Sequence, residues 1–387
     1  MKGLKVVSGS RSGVGRKRQV GDWLILLAAW AVAAWIGTQP AFALVDEDGG
    51  LAHFNKPGNI LIADQFNNRV IEVDPNSHAI VWQFGDGNSV AGPSSVVAPN
   101  DAERVGEWTL ISGTGAPAGA EPNCPDGCPD NRVILVDQMG RIVWQYGQTG
   151  VTGSDFDQLN TPVCSVFLPY GHVLITDQGN HRVIEVSAIT KQIVWQYGVT
   201  GQAGAGPNQL NNPNSAELLS NGHILIADES NNRVIEVDRH HHIVWQYGDP
   251  NDPNILNGPA FASRLSPSHH TLITDASNNR IIEVDRKGHV VMTYATNTRP
   301  GSVTDPLPTR AVRLHNGNTL ISDQFNHQVI EINAKQDIVF TQGVIGVAGD
   351  GPNELNAPYD AKVIGDYTGL TPPFLSCWLD IESLDLW

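Results

Sequence analysis

From about residue 59 the chain alternates between short apolar runs and polar turns. One stretch shows the pattern most clearly. It reads His223-Ile-Leu-Ile-Ala-Asp228, then Asn231-Asn-Arg-Val-Ile-Glu-Val-Asp238, then Ile243-Val-Trp-Gln-Tyr-Gly248. The runs are β-branched or aromatic and too short for helices, and Asn, Asp and Gly separate them, so each predicts a strand. Close copies begin at Asn59, His172, His270 and Asn318, and the aspartates Asp64, Asp177, Asp228, Asp275 and Asp323 mark one position in each. A degenerate copy has Gly113 in place of that aspartate, resumes at Asn131-Arg-Val-Ile-Leu-Val-Asp137 and ends in Trp144-Gln-Tyr-Gly147.

A fourth strand precedes each triple, announced by a proline with a small residue three places later. The copies are Pro99…Ala102, Pro162…Ser165, Pro213…Ala216, Pro259…Ala262, Pro308…Ala311 and Pro358…Ala361. Four antiparallel strands per unit of about 40–50 residues predict the blades of an all-β propeller. First strands and triples are out of phase. The chain opens with a triple at Asn59 and closes with a lone first strand at Pro358–Ile364, which docks in the first blade and leaves no open edge if there are six blades. In the alternative, Leu51-Ala-His-Phe54 supplies the first strand and the C-terminus starts a seventh blade.

Asp-x-x-Asn-Asn-Arg-Val-Ile-Glu-Val, carried by five of six units between residues 45 and about 365, resembles the NHL repeat of six-bladed propellers. That resemblance implies fold more than function, since such rings include interaction modules, a peptide-amidating lyase and lactonase-like hydrolases. The Ile-Val-Trp-Gln-Tyr-Gly ending also resembles tryptophan-bearing blades of quinoprotein and arylsulfotransferase-like propellers, of which the quinoprotein rings are usually eight-bladed.

Charge narrows the partners. The chain has 24 Lys+Arg against 40 Asp+Glu. Residues 1–43 hold six of the bases and one acid, leaving 18 against 39 in the remainder. So acidic a body repels nucleic acid and anionic membrane surfaces. The N-terminal bases precede the apolar run Trp23–Gly37 and the small-x-small site Ala41-Phe-Ala43, the pattern of an export signal. The alternative is an uncleaved membrane tether. The expected organisation is a signal peptide at 1–43, the propeller at 44–365 and a turn-rich tail at 366–387, in a periplasmic or secreted protein. Cys124 and Cys128, in a turn-rich insertion of the degenerate unit, are candidates for a disulfide after export, and Cys164 and Cys377 stand alone.

Residues repeated in every unit read as blade chemistry. The aspartates are expected to accept hydrogen bonds from backbone N–H groups of the following loop, and the arginines from Arg69 to Arg280 to pair with acids or aromatic rings. Trp82, Trp144, Trp195 and Trp245 are expected between blades. The histidines, His240-His-His242 included, read as solvated rim residues, and no metal ligand set is assigned.

A site must break the symmetry of the ring. Two residues past each proline stand Asp101, Cys164, Ser215, Phe261, Arg310 and Asp360, and two further on Glu103, Val166, Glu217, Ser263, Val312 and Lys362. Alternation sends both sets to one side of the inner strands, and their polarity suits a wet central channel. The binding candidates are Asp101, Glu103, Ser215, Glu217, Arg310 and Asp360. The favoured function is a non-catalytic scaffold that binds a protein or small ligand on the face bearing the glycine-rich linkers, with no cofactor expected. In the alternative, a metal-dependent hydrolase or lyase, Asp101, Asp360 and Glu217 hold a calcium or zinc ion or act as acid and base, and Arg310 grips a substrate carboxylate. The inner strands carry no histidine ligand of the kind that metal-dependent relatives use. N-terminal sequencing of the exported protein is expected to read from Leu44, and an intact Met1 in a membrane fraction would establish the tether instead.

Overall fold

A computed structural model describes residues 53–373. They form six four-stranded antiparallel sheets in a ring. Inner strands of the second to sixth blades are Pro99–Val105, Pro162–Leu168, Pro213–Leu218, Pro259–Arg264 and Pro308–Arg313. The first blade takes its inner strand from the far end of the chain, where Pro358–Val363 pairs with Ile60–Asp64. The closure expected from the phase of the repeats is the one observed. The expected signal and residues 374–387, Cys377 among them, lie outside the described residues.

Second and third strands such as Ile224–Asp228 and Arg233–Val237 are buried at every position. A blade is covered on both faces by its neighbours, so these strands are continuously apolar instead of alternating. Among the described strands, the outermost show large apolar residues to solvent, such as Val194, Val244 and Val339. Trp82, Trp144, Trp195 and Trp245 each donate the indole N–H to a backbone carbonyl of the next blade, as Trp144 Nε1 does to Ala188 at 2.8 Å.

What joins blade to blade is more specific than apolar packing. The residue before each repeated arginine, or before Gln328 in the sixth unit, is in the left-handed region: Asn68, Asn131, His181, Asn232, Asn279 and His327, with φ between 50 and 59°. Each side chain accepts a hydrogen bond, at 2.7–3.1 Å, from the N–H of the residue just before the next blade's inner-strand proline. Asparagine tolerates this backbone better than other non-glycine residues and has the oxygen to offer. In the two histidines, Nδ1 is the acceptor, so that nitrogen must be unprotonated and the hydrogen sits on Nε2.

The repeated aspartates act beside these staples. Asp64 accepts from Asn67 Nδ2 at 2.8 Å, Arg69 Nε at 2.7 Å and the backbone N–H of Asn356 at 2.7 Å, so it ties its turn to the linker entering its own blade. Asp177, Asp228 and Asp275 repeat the arrangement. The partners therefore differ from those expected: two side chains and a linker amide, instead of the loop's own backbone. The irregular units keep the chemistry by other routes. A Cβ at Gly113 would lie 2.6 Å from Asp130, whose carboxylate comes from the adjacent strand to hold Arg132 and the N–H of Val97. In the sixth blade Gln328 replaces the arginine, and Arg299 from the linker pairs with Asp323 instead. Pro306 stands where the other linkers present an N–H, and Asp323 Oδ1 is left buried without a partner. Burial then raises the Asp323 pKa to about 6, against the opposing effects of Asn326 and Arg299.

On the opposite face, histidines expected to be solvated are hydrogen-bonded. His172, His223 and His270 meet Glu185, Glu236 and Glu283 at 2.6–2.9 Å. These glutamates also pair with Arg239, Arg264 and Arg313 of the following blade.

The histidine staple at the ring's seam gives a pH test. Burial lowers the His327 pKa below its ordinary value of about 6.5. The unfolded chain then takes up a proton that the folded chain refuses as pH falls through that value, and stability is lost on acidification. His327→Asn keeps an acceptor that does not titrate. Between pH 7.5 and 5.5 the variant is expected to gain about 1 kcal/mol on the wild type, read as a few degrees of Tm. Parallel melting curves across that range would contradict the staple.

Candidate functional site

The axis is where the repeats differ. In all six inner strands one extra residue follows the proline as a bulge. The bulge offsets the side chains so that the second residue past the proline reaches the centre of the ring. The structure brings Asp101, Arg310 and Asp360 together there and adds Lys362. Lys362 Nζ donates to Asp101 at 2.7 Å, Asp360 at 2.8 Å and the carbonyl of Ala102 at 2.9 Å. Arg310 Nε lies 2.7 Å from Asp360, and its Nη2 reaches Asp101 across the axis. The guanidinium also sits 4.1 Å from the centre of the Phe261 ring.

All four charged residues are buried. Burial works against ionisation of Asp360, but Arg310 and then Lys362 outweigh it and hold that carboxyl below its ordinary value. Burial likewise opposes the Lys362 charge, and Asp101 and Asp360 more than restore it. Burial raises the Asp101 pKa against the opposing pull of Lys362 and Arg310, and Asp101 and Asp360 Oδ2 also accept from the backbone amides of Ser165 and Ala102. The expected orientation of the polar set is observed. A wet channel is not: these groups are in contact with each other and shielded from solvent.

Glu103 and Glu217 lie nearer the hairpin face, the one bearing the turns between first and second strands. Glu103 accepts from the N–H of Phe167 at 3.0 Å, and burial pushes its pKa well above the ordinary range. Glu217 is capped from outside the blades. The chain leaves the closing strand, crosses the axis and places Thr371 on it, with N and Oγ1 donating at 2.8 and 2.6 Å. Asp366 and Tyr367 are anchored on the way, to the N–H of His315 and the carbonyl of Arg104. The ring's packing thus extends past residue 365. Burial raises the Glu217 pKa against those Thr371 bonds. Ser215 Oγ and Arg310 Nη1 are buried with no protein partner.

At the other mouth, Tyr359 on the first blade's bulge spans to Asn214 on the fourth, with 2.8 Å between its hydroxyl and Nδ2. Asn214 also donates to Glu229, and Gln65 links Asn100 to Gln324. Neither this belt nor the Thr371 cap is visible in the repeat pattern. Asn214 and Tyr359 could have been found as the variable residues directly after the prolines. Among the described residues no group of three or more His, Cys, Asp or Glu is arranged to hold a metal ion. The candidate metal ligands Asp101, Asp360 and Glu217 are taken by Lys362, Arg310 and Thr371.

The open relief lies on the linker face. The disulfide between Cys124 and Cys128 closes the insertion of the second blade. Beside it, Gly87–Val90, Asn123 and Cys128 line a depression of about 390 Å³.

Fold and axis together define a closed six-bladed propeller with a plugged, charge-balanced centre. The chain belongs to the PQQ_2 family, described as outer membrane protein assembly factor BamB, whose model matches residues 67–342. No curated protein matches the sequence. Among solved structures, a protein of unknown function from Bacteroides caccae is 13% identical with a TM-score of 0.55, covering 79% of this chain and 98% of its own. An inactive virginiamycin B lyase from Staphylococcus aureus is 12% identical with a TM-score of 0.47, covering 77% of this chain and 82% of its own. The WD40 propeller of Doa1 is 11% identical with a TM-score of 0.46, covering 74% and 79%. At these identities the likeness is one of fold.

Removing one partner of a buried, mutually neutralised pair leaves an uncompensated charge. Arg310→Met is therefore expected to cost about 3–5 kcal/mol and lower Tm by roughly 10 °C. Asp101→Asn is expected to destabilise in the same direction. A Tm within 2 °C of wild type for both would show that the axial cluster does not hold the ring together.

Proposed function

We propose that this is an exported, non-catalytic propeller that binds a protein partner in the cell envelope. The observation carrying this reading is the axis. Its acids and bases pair with one another, and Tyr359 and Thr371 lie over its two mouths, with the loops as the variable and accessible surface. The name of the family, an outer membrane protein assembly factor, supports a protein partner and an envelope location. Residues 1–43 fit a cleaved export signal, and no helix among the described residues is long and apolar enough to cross a membrane. The Asp-x-x-Asn-Asn-Arg turns support an NHL-type blade within this ring.

Two measurements test this together. The first is photo-crosslinking in intact cells, with a photoreactive residue at Phe156 on the linker face or Tyr170 on the hairpin face. A discrete heavier adduct is expected from one of them. The second is elemental analysis of protein purified without chelator or His-tag, expected to find well under one equivalent of metal. One equivalent of calcium or zinc that disappears in Asp360→Ala would replace the scaffold with the metal-dependent hydrolase or lyase.

A further inference from the structure

The linker face differs from the rest of the surface in charge and apolarity together. The six linkers between blades and the insertion 117–130 contain a single base, Arg299, and it is held by Asp323 and Gln328. The arginines of the adjoining turns are likewise taken, each by the carboxylate of its own turn. The exposed charges of these linkers and the insertion are therefore carboxylates, of which Asp157 is bound at 2.9 Å by Lys191 from an outer turn of the third blade. Lys56, Lys287 and Lys335 all stand on the opposite face.

One sector stands out. The three consecutive linkers 343–357, 85–98 and 147–161 each display a large apolar side chain: Val347 is 47% exposed, Val90 76% and Phe156 60%. The same linkers and the insertion show Asp350, Asp86, Asp155 and Asp126 exposed beside them. The depression lined by Gly87–Val90, Asn123 and Cys128 lies in the middle linker of the three. Behind its wall is Glu121. Its Oε2 accepts from Ser89 Oγ at 3.0 Å and Asn68 Nδ2 at 3.1 Å, and its Oε1 is buried with no partner. Glu121 is only 8% exposed. A buried carboxylate with an unused acceptor, under a depression, is unfavourable unless a donor arrives from outside. The disulfide keeps the wall in place, so the surface is organised before anything binds.

We propose that this sector is the docking surface for a basic segment of a partner protein. The segment seats apolar side chains against Val347, Val90 and Phe156 and directs a lysine or arginine into the depression above Glu121. The inference rests on the partner-binding reading and specifies the chemistry of that partner. Charge complementarity over an apolar patch speeds encounter and sets orientation, and a buried acceptor supplies a discrete anchor.

The test uses the whole exported protein and a fluorescent synthetic peptide of lysine and leucine, with its glutamate–leucine counterpart as the control. Binding is read by anisotropy at 50 and 200 mM salt. The lysine peptide is expected to bind and to weaken with salt, and the glutamate peptide is expected not to bind. The set Asp86→Asn, Asp126→Asn, Asp155→Asn and Asp350→Asn is expected to raise Kd about tenfold. A set of equal charge on the other face, Asp74→Asn, Glu107→Gln, Glu331→Gln and Asp337→Asn, is expected to change it less than about twofold. Glu121→Gln and Val90→Ser with Phe156→Ser are each expected to weaken binding with the fold intact by circular dichroism. Equal losses in the two charge sets, binding of the glutamate peptide, or no binding of the lysine peptide would overturn the proposal. An in-cell adduct from Tyr170 alone would also overturn it while leaving the partner-binding reading standing.

Discussion

The ring depends on one backbone contact made six times. A side chain in the left-handed region of each turn accepts the N–H just ahead of the next blade's inner strand. The N–H belongs to a linker that has left one sheet and not yet joined the next, so no strand can pair it. Left buried and unpaired it would cost about 1–3 kcal/mol. The staple satisfies it and fixes the position of the following proline, and so the height of every inner strand on the axis. His327 makes this contact at the seam, where the strand from the far end of the chain enters the first blade.

From that alignment follows the state of the axis. With six inner strands held at one height, their variable side chains meet and must be compatible with each other. Asp101, Asp360, Arg310 and Lys362 solve this by pairing, and the two mouths are covered by Tyr359 and by Thr371 from beyond the closing strand. The charged side chains read from sequence as candidate metal ligands or acid and base thus bind one another across the inner strands. On the linker face an acid-rich surface studded with exposed apolar side chains faces outward.

Substitutions within the repeat show how strictly the chemistry is kept. Gly113 and Asp130 exchange the source of a carboxylate, and Arg299 stands in for the arginine that Gln328 replaces. The missing aspartate and the missing arginine are both visible in the sequence. Their replacements are not, because Asp130 and Arg299 come from a neighbouring strand and a linker whose proximity only folding creates. Three histidines show the same limit, while His240, His242 and His289 are exposed as expected. A residue in a turn looks solvated until the glutamate of the adjacent strand, thirteen positions on, is seen opposite His172, His223 and His270.

Strand order within a blade and the phase between prolines and triples were determined by sequence alone, because each rests on local rules of β-branched runs and turn residues. The pairing of Pro358–Val363 with Ile60–Asp64 decided for six blades over a seventh. That the variable polar set shares one side of the inner strand was also legible, since alternation is a property of a single strand, but alternation does not say which side faces the axis. Whether that set lines an open channel was decided only in the tertiary structure. The answer depends on which blades stand opposite one another and on how far each side chain reaches. Arg310 and Asp101, 209 positions apart, meet because the ring closes. Thr371 caps Glu217 because the chain, once past the closing strand, crosses the axis. Neither distance is encoded in any one repeat, and both come from the geometry of six repeats assembled.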